Sequence, residues 1–428
     1  MNADDGTPVE PDEFDRFLDE LRERFPLLHA RLDVQHVHTY GLLMRWPGRG
    51  NDRPIVLMAH LDVVPADAQA PWRYPPFDGV LADGHLWGRG TLDDKGSLVA
   101  ICAAVESLLT EDITPAQDVW LSFGCDEEVA GVSAGLAVSA LERQGVRPWF
   151  VLDEGGAVAT GALPGIAAPL AVIGVAEKGI TNVELRVDGP GGHASTPKRN
   201  GPAVRIARAV TRLDRARLPA HVPGPTAEMV RRLAPHAPRW LRPVLRRLAE
   251  TGPLLGRVLV LAGPETAAMT RTTIAVTTLS GSPALNAIAS TARAGLNIRV
   301  LPGETVTEVL QRLRRIIRDD DVQLDVRERN EPSPISPVDD DAFRLIEATA
   351  TDVFPDAVPV PYVMTAGTDS RHFTGLCPRV YRFAPLRMTR EQRATLHAHD
   401  ERVGVDDLVD AVTWYRRLLL ALPEPPPD

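Results

Sequence analysis

Five short stretches of the sequence place histidine or carboxylate side chains where strands end and turns begin. They are VLMAHLDVVPA (56–66), GRGTLDDKG (88–96), DEE (126–128), LDEGG (152–156) and LHAHDE (396–401). Imidazole nitrogens and carboxylate oxygens are ligands of divalent metals such as zinc. The set as a whole suits two metal ions bridged by one carboxylate.

The segments around these stretches predict the strands of one sheet. The apolar run RPIVLMAHLDV predicts a buried strand that ends near His60, and DVWLSFG and PWFV predict further strands. Helical patterns such as GSLVAICAAVESLLT separate them, which predicts a mostly parallel sheet covered on both faces. Ligands bind at the carboxyl ends of such strands, so we expect the polar stretches to form one site.

Each stretch has a plainer explanation when it is taken alone. A histidine and an aspartate at a strand end are often structural, and DEE can be a solvated turn. GVSAG (131–135) matches the GxSxG pattern of serine hydrolases, but Ser133 lies well after the strand end, where a nucleophile elbow would not be. A metal-binding protein without catalysis is another alternative.

The pattern of elements changes after about residue 178. From there the order strand, helix, strand, strand, helix, strand is that of a ferredoxin-like unit. The sequence thus predicts an α/β protein with a mostly parallel-sheet domain, residues 1–178 and 334–428, and an inserted ferredoxin-like α+β lid domain, residues 179–333. Residues 223–265 of the insert are helical, basic and apolar. They form either an elaboration packed on the small domain or a membrane-surface helix.

Composition narrows the class of partner. The 428 residues carry a formal net charge of −10, which argues against nucleic acid or an anionic membrane as partner. No apolar run is long enough to predict a spanning helix, and the amino terminus lacks the pattern of a signal peptide. Three widely spaced cysteines, Cys102, Cys125 and Cys377, fit buried thiols in a reducing compartment. A cytoplasmic location is therefore expected.

In order along the chain, these stretches resemble the motifs of the M20 metallopeptidases, most closely those of the PM20D1/carboxypeptidase S branch. GPGGHAS (189–195) and GTDSRHF (367–373) belong to the same series, and AEKG, RTT, YRF and the 223–265 insertion add to the likeness. The resemblance runs from about residue 37 to about residue 418. It implies hydrolysis of an amide bond by two divalent metal ions, with zinc preferred and cobalt or manganese as alternatives.

The resemblance also implies roles for individual residues. The implied metal ligands are His60, Asp93, Glu128, Asp153 and His397. Asp93 bridges both ions, Asp62 orients His60, and Glu127 is the general base on a water shared by the two metals. Either Asp153 or Glu154 can be the ligand from LDEGG, and Asp153 is preferred. The family spacing H-x-x-[DN]-E selects His397 over His399.

The inserted domain and the GTDSRHF turn carry the remaining implied roles. His193 stabilises the oxyanion, often in the active site of the partner subunit, so a homodimer through the insert is implied. Asn286 and Arg299 hold substrate, with Arg299 suited to a free carboxylate. Gly367 and Thr368 contact the substrate beside the metals.

The sequence leaves two classes of substrate open. One is a small peptide, cleaved by a carboxypeptidase or dipeptidase, and this class is slightly preferred. The other is an N-acyl amino acid, whose acyl chain would lie against an apolar lid.

Overall fold

The computed structural model describes residues 11–67, 69–163 and 165–426. The first elements are α1 (Pro11–Arg24), α2 (Pro26–Arg31), β1 (Asp33–His36), β2 (Leu42–Trp46), β3 (Gly50–His60), β4 (Val80–Ala82), β5 (His85–Trp87), α3 (Lys95–Thr110), β6 (Gln117–Gly124), α4 (Ser133–Arg143), β7 (Phe150–Asp153), β8 (Val158–Ala159) and β9 (Leu170–Glu177). The middle elements are β10 (Gly179–Asp188), β11 (Gly192–His193), α5 (Pro202–Arg215), α6 (Gly224–Leu233), α7 (Arg242–Glu250), α8 (Gly252–Ala262), α9 (Pro264–Ala268), β12 (Thr273–Ser280), β13 (Ala287–Ile288), β14 (Thr291–Val300), α10 (Val306–Ile317) and β15 (Gln323–Arg329). The last elements are α11 (Asp341–Val353), β16 (Val358–Met364), β17 (Val380–Arg382), β18 (Arg387–Met388), α12 (Arg390–Arg393), β19 (Arg402–Gly404) and α13 (Val405–Leu420).

Within the described residues, ten strands form the larger sheet, in the order β1-β2-β6-β3-β7-β17-β9-β8-β18, with β16 also paired to β9. Strand β3 lies between β6 and β7 and runs parallel to both. The antiparallel pairs β1–β2 and β2–β6 lie at one edge. The predicted α/β fold with a mostly parallel central sheet is confirmed.

Strand β3 shows why this sheet is covered on both faces. Its last seven residues are buried, and alternate side chains enter different cores. Ile55 and Leu57 pack in the cluster that contains helix α3, whereas Val56 and Met58 pack in the cluster that contains α4. A central parallel strand is apolar on both faces for this reason, so its sequence is a continuous run of apolar residues.

The register of the parallel strands aligns their carboxyl ends. His60 at the end of β3 pairs with Gly124 of β6, and Leu57 of β3 pairs with Leu152 of β7. The residues that follow these strands therefore emerge at one edge of the sheet. The DEE and LDEGG stretches lie there, beside His60.

A second sheet is built from residues of the middle segment. Its four strands run in the order β12-β14-β10-β15, and all neighbours are antiparallel. Helices α5 and α10 pack on it around a separate core that includes Leu185, Leu296, Ile206 and Leu313. The boundaries drawn at residues 178/179 and 333/334 stay predictions.

The helical segment formed by α6 to α9 packs on the larger sheet. Met229, Leu233 and Leu255 form one cluster with Leu170 of β9 and Val360 of β16. Of the two alternatives for residues 223–265, packing on protein is the one observed, but the sheet it covers is the larger one and not the small one. The segment thus forms a wall beside the strands that lead to the polar edge.

Two expectations from composition concern the chain as a whole. In the described part of the chain, no helix has both the length and the apolar character needed to cross a bilayer. Cys102, Cys125 and Cys377 are buried, and burial raises the pKa of each thiol. The cytoplasmic location stays a prediction.

Candidate metal centre and active site

The carboxylate of Asp93 lies between two histidines. Its Oδ1 is 3.0 Å from Nε2 of His60, and its Oδ2 is 3.0 Å from Nε2 of His397. Asp93 lies in the turn between β5 and α3, and His397 lies between α12 and β19 with a φ of 58°. A carboxylate that offers one oxygen to each of two imidazoles has the arrangement of a bridge between two metal ions.

Among the described residues, two overlapping groups of side chains have the geometry to hold a metal ion. One consists of His60, Asp93 and Glu154, and the other of Asp93, Glu128 and His397. Within each group the ligand atoms all lie within 4.8 Å of one another. Four of the five predicted ligands are therefore brought together, and Asp93 belongs to both groups.

The fifth predicted ligand, Asp153, is not part of either group. Its Oδ2 accepts a hydrogen bond from the backbone N–H of Ser370 at 2.9 Å, and the residue is buried as the last one of β7. Strand β7 ends at Asp153, so Glu154 lies in the bend that follows the strand. Glu154, the alternative that the sequence left open, belongs to the group around His60, and the preferred ligand Asp153 stays a prediction.

Asp62 connects His60 to the acidic turn after β6. Nδ1 of His60 lies 3.0 Å from the backbone oxygen of Asp62 and 3.5 Å from its Oδ1. The same carboxylate accepts hydrogen bonds from the backbone N–H groups of Glu127 and Glu128, at 3.2 and 3.1 Å. One buried aspartate thus fixes the orientation of the imidazole and the position of both glutamates.

Glu401 ties the turn that carries Asp93 to the turn that carries His397. It is fully buried and accepts hydrogen bonds from the Arg89 guanidinium at 2.7 Å and from the N–H groups of Gly90, Leu92 and Asp93. No role was predicted for Glu401 or Arg89. Glu401 lies in the stretch LHAHDE and Arg89 in GRGTLDDKG. Their positions in these stretches were the sequence signal that could have indicated a role.

The electrostatics of the carboxyl groups at this edge of the larger sheet suit two divalent cations. Burial raises the pKa of Glu127 well above its ordinary value, and the negative charges of Asp369, Asp93 and Glu128 add to this effect. Burial likewise raises the pKa of Glu128 to about 7, and that of Glu154 well above its ordinary value. Two positive ions among these oxygen and nitrogen donors would relieve the repulsion, so the residues present suit a dinuclear site.

A second buried network supports the strand end that carries Asp153 and Glu154. Glu177 accepts hydrogen bonds from Nε of Arg382 at 2.7 Å and from the Thr368 hydroxyl at 2.8 Å. Thr368 is itself buried, and its hydroxyl also lies 2.6 Å from that of Ser370. The predicted substrate contact of Thr368 would have to compete with these bonds. Glu177 and Arg382 had no predicted role, although AEKG and YRF contain them.

Gly367 comes just before this network in the chain. The Glu177 carboxylate is 3.7 Å from where a β-carbon of Gly367 would stand, and Ile180 Cδ1 is 3.0 Å from it. A side chain at this position would therefore crowd the junction between β9 and β10. The predicted contact of Gly367 with substrate stays a prediction.

The predicted lid residues lie on the smaller sheet and on the two-stranded ladder that β11 and β13 form. His193 is exposed on β11, opposite Ala287 of β13, and its Nδ1 lies 2.9 Å from the Ser195 hydroxyl. Asn286 is next to this ladder and accepts a hydrogen bond from the Ala194 N–H through its backbone oxygen. Arg299 on β14 donates from Nε to Asn297 at 3.1 Å. In the part of the chain described, no hydrogen bond or ion pair joins these three side chains to the metal-binding groups.

Ser133, the nucleophile of the serine hydrolase alternative, is the first residue of α4. It is 1% exposed. Its hydroxyl donates to Asp126 and also accepts the N–H of Cys125. These bonds hold the turn between β6 and α4. They give Ser133 a structural role.

Comparison with known proteins shows the family to which the chain belongs. The model of peptidase family M20/M25/M40 matches residues 56–421. A probable carboxypeptidase S-like 2 of Dictyostelium discoideum is 33% identical over 436 residues, which cover 97% of this chain and 81% of that protein. The N-fatty-acyl-amino acid synthase/hydrolase PM20D1 of Xenopus tropicalis is 35% identical over 409 residues, which cover 94% and 80%.

A solved structure shows the same fold. The M20 family metallo-carboxypeptidase Sso-CP2 from Sulfolobus solfataricus superposes with a TM-score of 0.69 at 17% identity, covering 97% of this chain and 94% of that one. The family model extends over most of the sequence, and the two relatives exceed 30% identity across nearly its whole length. The chain therefore belongs to the M20 family of peptidases and is a metallohydrolase.

Proposed function

We propose that the protein hydrolyses an amide bond in a small peptide or an N-acyl amino acid with the help of two divalent metal ions. Zinc is the preferred metal, with cobalt and manganese as alternatives. The observation that carries the proposal is the Asp93 carboxylate, whose two oxygens face His60 and His397. Glu154 would complete the group around His60, and Glu128 the group around His397.

When bound, the two ions would lower the pKa of a water molecule and polarise the carbonyl of the scissile bond. Glu127 has a position suited to general base, because its backbone N–H is fixed by Asp62 next to the ligand Glu128. It would take a proton from the attacking water as the new C–O bond forms. It would then deliver that proton to the leaving nitrogen as the C–N bond breaks, giving a carboxylate and an amine.

His193 is proposed to stabilise the oxyanion that forms during this attack. The side chain is exposed on the smaller sheet, and Ser195 contacts only one of its ring nitrogens, Nδ1. A donor on a separate sheet would reach the substrate by closure of that sheet or from a partner subunit. Arg299 would bind the free carboxylate of the substrate, and Asn286 and Gly367 would line its path.

Relatives support both substrate classes. The Dictyostelium relative is named as a carboxypeptidase, whereas the Xenopus relative is named as acting on N-fatty-acyl amino acids. Both classes present an amide next to a free carboxylate, so the same metal centre and the same base would serve either.

The test is removal and return of the metal. Treatment with a chelator should abolish hydrolysis of a panel of dipeptides and N-acyl amino acids, and added zinc should restore it, with cobalt and manganese as comparisons. Full activity of the metal-free protein would refute the proposal.

A further inference from the structure

Three polar side chains lie side by side across the smaller sheet. Asn182 of β10 is paired with Asn297 of β14 on one side and with Glu328 of β15 on the other. Directly paired residues project to the same face of a sheet, and residues two apart along a strand do so as well. Arg299, two residues after Asn297, therefore shares this face. Helices α5 and α10 pack on the opposite face, which is the apolar one.

Hydrogen bonds connect these side chains to the Arg299 guanidinium in one series. Nε of Arg299 donates to Oδ1 of Asn297 at 3.1 Å, and Nδ2 of Asn297 donates to Oδ1 of Asn182 at 2.8 Å. Nδ2 of Asn182 then donates to Oε2 of Glu328 at 2.5 Å. The other carboxylate oxygen of Glu328 accepts from Nδ2 of Asn330 at 2.7 Å. We call the series Arg299, Asn297, Asn182 and Glu328 the polar row.

The two ends of the polar row fix the direction of every bond in it. A guanidinium can only donate hydrogen bonds, and an ionised carboxylate can only accept them. Each asparagine between them must therefore turn its oxygen towards Arg299 and its NH₂ group towards Glu328. Burial lowers the pKa of Arg299, and the negative charge of Glu328 opposes this effect. The row thus orients the guanidinium and supports its charge without a direct ion pair.

The polar row leaves the outer end of the guanidinium open. Among the described residues, neither terminal nitrogen of Arg299 donates a hydrogen bond to the protein. Arg293, on the same face of β14, instead pairs directly with Glu184 at 3.2 Å. Two parallel N–H groups at the end of an oriented guanidinium match the two oxygens of a carboxylate. Arg299 is therefore the arginine of this face that is free to bind an anionic ligand end-on.

Arg299 lies on the face of the smaller sheet that meets the turn GTDSRHF (367–373). Its partner in β10 is Ile180, whose Cδ1 is 3.0 Å from where a β-carbon of Gly367 would stand. Ser370 of the same turn donates its N–H to Asp153 at the end of β7. A carboxylate held by Arg299 is therefore on the side of the smaller sheet that faces the polar edge of the larger one.

We infer that Asn297, Asn182 and Glu328 are positioning residues, which hold Arg299 so that its two terminal nitrogens bind the free carboxylate of the substrate. The inference rests on the proposed function, in which Arg299 takes that carboxylate. It deepens that function, because an oriented guanidinium selects amides with a free carboxylate over amides whose carboxyl group is blocked. The three residues act through Arg299 and do not touch the substrate.

A pair of substitutions breaks one bond of the polar row and then restores it in reverse. Asn182→Asp still accepts from Asn297, but it places a second carboxylate against that of Glu328 and drives this end of the row apart. Adding Glu328→Gln supplies an NH₂ group that donates to the new carboxylate, while the amide oxygen still accepts from Asn330. The double variant therefore has a complete row with its last bond reversed.

The readout is a ratio of two kcat/KM values. One is for the dipeptide or N-acyl amino acid that is hydrolysed fastest, and the other is for the same compound with its carboxyl group amidated. Asn182→Asp should lower this ratio by about tenfold or more, because a hydrogen bond to a charged group contributes roughly that factor. The fall should come from a raised KM for the acid with kcat nearly unchanged.

Two further variants distinguish positioning from a general loss of structure. The double variant Asn182→Asp with Glu328→Gln should recover most of the ratio. In an Arg299→Ala background, Asn182→Asp should lower the ratio no further, because a positioning residue acts only through the group that it holds.

Glu184→Gln is the matched control. It removes a carboxylate from the same face of β10, where Glu184 pairs directly with Arg293 and Arg327 outside the polar row. It should leave the ratio unchanged. A thermal melt of each variant establishes that it is folded. Calorimetric titration of the same acids and amides on a Glu127→Gln background gives the comparison without turnover.

The outcomes separate the two proposals. Hydrolysis with a ratio that Asn182→Asp leaves unchanged, or lowers without recovery in the double variant, would overturn the polar row and leave amide hydrolysis intact. An equal effect of Glu184→Gln would overturn it as well, and so would a wild-type protein with no preference for the acid. Binding that prefers the acid and depends on an intact row, without hydrolysis of any amide, would support the inference and refute the proposed function.

Discussion

The buried carboxylate of Glu401 holds together the two turns that carry Asp93 and His397, and its replacement by glutamine tests how far the metal centre depends on it. One carboxylate oxygen accepts from Arg89 at 2.7 Å and from the Gly90 N–H at 3.0 Å. The other accepts from the N–H groups of Leu92 at 2.8 Å and of Asp93 at 3.2 Å. Glutamine has the same shape but only one acceptor oxygen.

Either orientation of the new amide leaves two donors facing an NH₂ group. If Leu92 and Asp93 lose their acceptor, two buried N–H groups stay unpaired, at about 1–3 kcal/mol each. If Arg89 loses its partner instead, a buried charge is left unpaired, at about 3–5 kcal/mol. We therefore expect Glu401→Gln to lower the free energy of unfolding by about 2–5 kcal/mol. Because the Asp93 turn is loosened, zinc affinity should fall by about 10–100-fold.

Urea unfolding of the metal-free protein measures the first effect, and calorimetric zinc titration measures the second. Glu424→Gln is the control, because Glu424 forms an exposed ion pair with Arg49 at 2.6 Å, and such pairs contribute only about 0–1 kcal/mol. Effects of Glu401→Gln no larger than those of the control would show that the two turns are held by packing alone.

The remaining predictions concern the base, the fifth ligand and the lid. Glu127→Ala should keep both metals while kcat falls by about 10²–10⁴; metal content and rate are measured on one sample, and lost metal would make Glu127 a ligand. Glu154→Ala should lower the bound metal per chain and Asp153→Asn should not, and metal analysis giving the reverse would restore Asp153 as the ligand. If His193 acts across a dimer, mixing His193→Ala with Glu127→Ala under subunit exchange should restore about a quarter of wild-type activity, since half of the dimers then contain one complete site. No recovery, or a fully active monomer, would exclude that arrangement.

The main sheet, and the convergence of the four predicted ligands His60, Asp93, Glu128 and His397, were accessible from the sequence for a simple reason. A parallel strand buried on both faces reads as an apolar run, and the polar residue that ends it marks the ligand-binding edge. The choice between Asp153 and Glu154 was not accessible. It depends on which of two adjacent side chains turns towards the histidines where β7 ends, and the sequence pattern does not specify the conformation of the bend that follows.

The packing surface predicted for residues 223–265 was wrong for a related reason. Its pattern of apolar and basic residues shows that one face must be covered, but not which surface covers it. The segment lies between elements of the smaller sheet in the sequence, and this order suggested packing there. In the structure, Leu170 and Val360 of the larger sheet complete its core instead. Amphipathic patterns predict that a face is buried, whereas its partner depends on the tertiary fold.

Two buried ion pairs near the metal-binding groups join distant parts of the chain, and motif spacing alone does not reveal such contacts. Arg89 pairs with Glu401, and Glu177 pairs with Arg382. Each pair joins a residue that precedes the smaller sheet in the chain to one that follows it, as Asp93 and His397 also do. The two halves of the metal centre are therefore brought together only when both parts of the larger sheet assemble around the intervening segment. An unpaired member of either pair would leave a charge buried at the catalytic edge, so these contacts favour the one arrangement in which the ligands converge.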